Sequence, residues 1–159
     1  MSRYETLQKA FSGSVEARKV YWSNVEKQVA SFLEDFRVYL GVEPTQTVSV
    51  DGQNLPAVSL GWFTEAGQFK GWSIGNLPRR SNSMSFAVRV IFGGETSLET
   101  PHEFVAGLSI SGQENSDVYE VRWTGGFDFP MARGPRFDPM FKALYEAAIE
   151  GINAPSRSN

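Results

Sequence analysis

The 159-residue chain carries fifteen Lys and Arg against eighteen Asp and Glu, a net charge of −3 with a pI near 5.2. That balance argues against a general nucleic-acid binder, which needs cationic side chains to neutralise phosphate. The absence of cysteine excludes a disulfide framework, a thiol nucleophile and any cysteine-ligated metal.

Hydrophobic residues at 41% and charged residues at 21% fit an ordinary folded domain. The expectation is one domain over residues 1–153 and a polar tail over 154–159. The start, Met1-Ser2-Arg3-Tyr4-Glu5, lacks the apolar run of a signal peptide. No apolar stretch approaches the ~20 residues of a membrane span. Together with the lack of cysteine, this points to a cytoplasmic protein with no membrane association.

In chain order, Ser2 with Glu5 has capping-box spacing and opens a helix to about Phe11. Ser12-Gly13-Ser14 should interrupt it, with Ser14 capping a second helix. The apolar positions of that helix are Val15, Trp22, Val25, Val29, Phe32, Phe36 and Tyr39, spaced by threes and fours from Trp22 onward. Gly41 stops it, and Pro44 follows. This stripe suits packing on a sheet. Its heptad-like spacing leaves a homodimer open, although it is too short for a persuasive coiled coil.

From Thr45 the period becomes two. Thr47 to Val50 reads as a strand ending at the turn signal Asp51-Gly52. Further strands follow: one with Val58, Leu60 and Trp62 on one face, and one with Trp72 and Ile74 on one face and Phe69 and Ser73 on the other. The clearest alternates Met84, Phe86, Val88, Val90 and Phe92. The last two alternate Phe104, Ala106, Leu108, Ile110 and then Tyr119, Val121, Trp123. Their short connections favour antiparallel neighbours. Asp138-Pro139 should cap and open a last helix, with Phe141, Leu144, Tyr145, Ala148 and Ile152 facing inward. The fold class is α+β: a two-layer sandwich of N-terminal helices and a C-terminal helix on a curved, mostly antiparallel sheet of about six strands.

Sites for chemistry are sparse. Gly71-Trp72-Ser73-Ile74-Gly75 has the letters of a nucleophile elbow, but that motif needs a helix directly after the serine, and a loop to the next strand follows here. The single histidine, His102, would need a positioned partner such as Glu99, Glu103 or Asp128 to act as a base. No set of residues has metal-ligand spacing, and no cofactor is implied.

The segment from Thr124 to Phe137 holds three Gly, two Pro, two Arg and three Phe in fourteen residues. So long a connection in a small domain points either to a strap pinned by its phenylalanines or to a functional loop. In the functional reading it presents Arg133 and Arg136 to an anion or an acidic partner. Arg79 and Arg80 form a second basic pair. If the two loops converge, four guanidinium groups could hold a phosphate-bearing ligand or an acidic surface, with Trp72 or Trp123 stacking nearby.

The functional reading is a non-catalytic domain that binds another protein, of inhibitor, immunity or adaptor type, through an open sheet face and these arginines. The alternative is a small-ligand binder, for an anionic ligand above all, with a pocket between sheet and helix lined by Trp62, Trp72, Trp123 and Tyr145. A hydrolase built on Ser73, His102 or an acid is the third reading.

Overall fold

Ser2 accepts a hydrogen bond from the Glu5 N–H at 3.1 Å and so caps a helix, as its spacing predicts. In the computed structural model, which describes residues 2–94, 101–113, 118–124, 132–134 and 136–154, that helix does not stop at Phe11. α1 runs unbroken over Arg3–Leu40, 38 residues, and the predicted break at Ser12-Gly13-Ser14 is absent. Glycine costs about 1 kcal/mol against alanine in a helix interior, and serine less. Such a cost slows propagation without ending it when good helix formers flank the site, as Lys9-Ala10 and Glu16-Ala17-Arg18 do here. Gly41 does end the helix. Its φ is 75°, and the Gly41 and Val42 N–H groups bond back to Val38 and Arg37.

β1 (Thr47–Val50) and β2 (Gln53–Pro56) form a separate hairpin. Asp51 and Gly52 both have positive φ, as a two-residue hairpin turn matched to strand twist requires. β3 (Val58–Phe63) pairs with β4 (Phe69–Gly71), which ends three residues earlier than the alternation suggested. Trp72 and Ile74 therefore do not share a strand face. Ser73 begins a 3-10 turn over Ile74–Asn76, and its Oγ accepts from Asn76 Nδ2 at 2.9 Å.

β5 (Arg79–Arg80), β6 (Ser83–Ile91), β7 (Glu103–Gly112), β8 (Tyr119–Thr124) and β9 (Ala132–Gly134) follow. The main sheet is antiparallel and open, in the order β4-β3-β6-β7-β8-β9, with β5 also on β6. α2 (Asp138–Asn153) closes the described chain. Asp138 is its first helical residue, so the cap position falls to Phe137, whose ring is buried.

Strand alternation sends Met84, Phe86, Val88, Ala106, Leu108, Ile110 and Val121 to one face, where both helices cover them. Phe32 sits at the centre. The rings of Phe86, Phe137 and Phe141 lie 5.0 to 5.5 Å from it, and that of Phe36 lies 6.4 Å away. The result is the two-layer α+β arrangement the periodicities imply. Among the described residues no helix is long and apolar enough to cross a membrane.

Candidate binding surfaces

The other face of the main sheet carries neither helix. Registers join its residues into rows across the strands. One runs Arg80, Ser83, Ser111, Glu120, and Arg133 is the register partner of Glu120. The next holds Ser85, Ser109 and Arg122, and a third Gly61, Ala87, Gly107 and Thr124. Then come Ser59, Arg89 and Val105, and finally Ile91 and Glu103.

The third row has almost no side chain of its own, and aromatic rings fill the space. A Cβ on Gly107 would lie 2.9 Å from the Phe63 ring, and one on Gly61 would lie 2.9 Å from the Phe69 ring. Phe69 also carries the Arg89 guanidinium 4.5 Å above its centre, while Arg89 Nε stands 3.9 Å from a Glu103 carboxylate oxygen. Among the described residues neither Arg89 Nε, at that distance, nor Ser59 Oγ across the strand pair is hydrogen-bonded; both atoms are buried. The open face thus has an apolar half under Phe63 and Phe69 and a hydroxyl-rich half floored by Ser83, Ser85, Ser109 and Ser111. Arginines stand at both.

Arg79 lies elsewhere. Its register partner is Met84, a core-side residue, so successive strand positions send Arg79 and Arg80 to opposite faces. Arg79 stacks 4.7 Å above the Trp22 ring and pairs with Glu26. With Ser14, Val15, Arg18, Lys19 and Ser23 these residues line an open groove of about 460 Å³ along α1. At its end Arg18 donates to the Ser81 carbonyl at 3.2 Å. The Tyr21 hydroxyl donates to the Asn82 carbonyl and accepts from the Gly112 N–H at 3.1 Å.

Whether the four arginines converge turns on the placement of their two segments. Arg80 and the β9 backbone at Arg133 are four strand spacings apart, roughly 19 Å. Arg79 is on the far side of the sheet, and Arg136 is exposed beside the start of α2. The side chain of Arg133 and residues 125–131 of the glycine- and proline-rich segment lie outside the described residues. Its last phenylalanine, Phe137, is a core residue.

Trp72 and Trp123 sit half-buried against the core, Trp123 edge-to-face with Phe104 at 5.8 Å. Trp22, on the stripe expected to pack in the core, receives the Arg79 guanidinium. The signal for it was Glu26, one turn further along the same helix: an acid next to an aromatic ring is a seat for a guanidinium.

Between sheet and helix lies the phenylalanine cluster, and Trp62, Trp72 and Trp123 are partly buried against it. Tyr145 is 46% exposed and packs edge-on against Tyr39. Ser73 and His102 are not hydrogen-bonded to each other among the described residues. His102 stands at the start of β7, where its carbonyl accepts from Phe92 and Gly93. Glu95, Glu99, Glu114, Asp117 and Asp128 lie outside the described residues. Among the described residues no group of three acids or histidines could hold a metal. Compared with models of known families, with curated proteins and with solved structures, the chain matches none.

Proposed function

We propose that this chain is a non-catalytic binding domain that holds an acidic protein partner against the open face of its main sheet. The observation that carries this is the composition of that face. On a chain of net charge −3 it collects Arg80, Arg89 and Arg122 around a floor of serine hydroxyls, with Phe63 and Phe69 as an apolar anchor beside them. Arginine forks match carboxylates, serines accept or donate as needed, and aromatic rings supply contact area. An inhibitor, an immunity protein or an adaptor would each use such a face.

The test is capture from native lysate with three folded forms: the wild type, an Arg80→Glu/Arg122→Glu double variant and a Ser109→Trp variant that places bulk on the face. A protein held by the wild type, released as salt rises and lost with both variants, is expected. Equal retention by all three forms would move the interface elsewhere. A second reading has one observation in its favour. The unbonded Arg89 Nε and Ser59 Oγ would both be satisfied by a small anion between β3 and β6. In that case denaturing the purified protein releases a small molecule, and an Arg89→Ala variant carries none.

A further inference from the structure

The apolar stripe of α1 does not end where the sheet ends. At 3.6 residues per turn, Tyr4, Leu7, Phe11 and Val15 fall within about 60° of the line through Trp22, Val25, Val29, Phe32 and Phe36. From Val25 onward the stripe is buried; before it, Tyr4, Leu7 and Phe11 are 69%, 67% and 70% exposed. α1 is about 57 Å long, whereas the ten residues of β7 span about 33 Å. Among the described residues, the helix first bonds the body at Arg18 and Tyr21. What precedes them is an arm, with an apolar side turned the same way as the core stripe.

We infer that this arm pairs with the same arm of a second copy, antiparallel across a two-fold axis at Phe11. The spacing is the first reason. Tyr4, Leu7, Phe11, Val15 and Arg18 are separated by three, four, four and three residues, a sequence that reads the same in both directions. An antiparallel mate centred on Phe11 sets Leu7 on Val15, Phe11 on Phe11 and Tyr4 on Arg18. Every contact is apolar or an aromatic ring on a guanidinium. A two-fold interface requires this self-complementarity.

Position is the second reason. Arg18 and Tyr21, where α1 bonds the body, lie seven and ten residues beyond Phe11, so the pairing puts the two bodies at opposite ends of the paired arms. The partner's first turn then lies along the groove of Val15, Arg18 and Trp22.

Charge is the third. Glu5, Lys9 and Glu16 fall on the opposite side of the helix, and Arg3, Gln8, Ala10, Ser14, Ala17 and Lys19 flank the seam. Arg3 and Lys19 are the only charges there, one to each side and sixteen residues apart. A lipid surface or an acidic helix would instead call for Lys and Arg in rows along both flanks. The apolar area available is on the order of 600 Å² per arm, below the roughly 800 Å² per partner of a standard interface. The dimer is therefore a weak one.

Because the chain has no cysteine, introduced thiols report the pairing cleanly. Sedimentation of the intact protein should give a mass rising with concentration from 17.7 kDa to twice that value. Leu7→Asp should hold it at the monomer mass with an unchanged thermal midpoint, since Leu7 is 67% exposed. Mixing a Leu7→Cys protein with a Val15→Cys protein under oxidation should give a disulfide-linked mixed dimer, while neither alone links to itself. Self-linking of Leu7→Cys would mean parallel arms and overturn the proposal. So would a monomer mass at every concentration, or an arm that binds anionic vesicles or another protein in its place. None of these readouts depends on Arg80, Arg122 or Ser109, so this proposal and the sheet-face reading fail separately.

Discussion

Two glycines on the open face do different work, and substituting each separates a backbone constraint from a side-chain one. A Cβ on Gly61 would stand 2.0 Å from the Lys70 carbonyl oxygen, so β3 and β4 would have to part. A Cβ on Gly107 would meet the edge of the Phe63 ring at 2.9 Å and the Thr124 Oγ1 at 3.0 Å, both movable side-chain atoms. We expect Gly61→Ala to destabilise the fold by about 2–3 kcal/mol and Gly107→Ala by about 1 kcal/mol, since overpacking costs depend on what can yield. Urea denaturation of the two variants measures the difference, and equal costs would show that β4 is free to move. The glycine letters alone gave no hint of this. Alternation identified the strands, but only the register puts Gly61 beside Ala87 and Gly107 and lets two phenylalanines lie across them.

At the scale of elements, α1 shows what local sequence can and cannot convey. Its capping serine, its stripe from Trp22 and its terminal glycine were all legible, because each depends on neighbours within one or two turns. Its continuity through Ser12-Gly13-Ser14 was not, because those residues lower helix propensity without forbidding a helix. Gly13 has no atom within 4 Å of a built Cβ, so Gly13→Ala meets no obstacle and removes backbone freedom from the unfolded arm. The helical signal in circular dichroism should rise while the urea midpoint of the body stays put. Gly41 also has open space, but its φ of 75° is unfavourable for alanine. Gly41→Ala should cost about 1 kcal/mol in the same titration. A loss of stability from Gly13→Ala would mean that the arm is packed on the body after all.

Over the whole molecule, the arm and the body are distinct in how they are held. Every fully buried residue of α1 lies at or after Val25, and the phenylalanine cluster draws only on residues from Phe32 onward. The sequence could suggest two layers because period-two and period-3.6 patterns are local. It could not show which arginines share a face, because that depends on strand pairing between distant positions, such as Val58 with Val90. Nor could it show that half of the longest apolar stripe has no sheet beneath it. Removing residues 2–17 therefore tests the division directly. The remaining helix starts at Arg18, keeps the Tyr21 bonds to Asn82 and Gly112, and loses no core side chain. Its unfolding free energy should stay within about 1 kcal/mol of the full chain, the scale of losing one helix cap. The concentration-dependent dimer should disappear, and any partner held by the open sheet face should still bind. If the shortened chain fails to fold, the arm contributes to the core in a way its exposure conceals, and the pairing at Phe11 would need to be sought within one protomer.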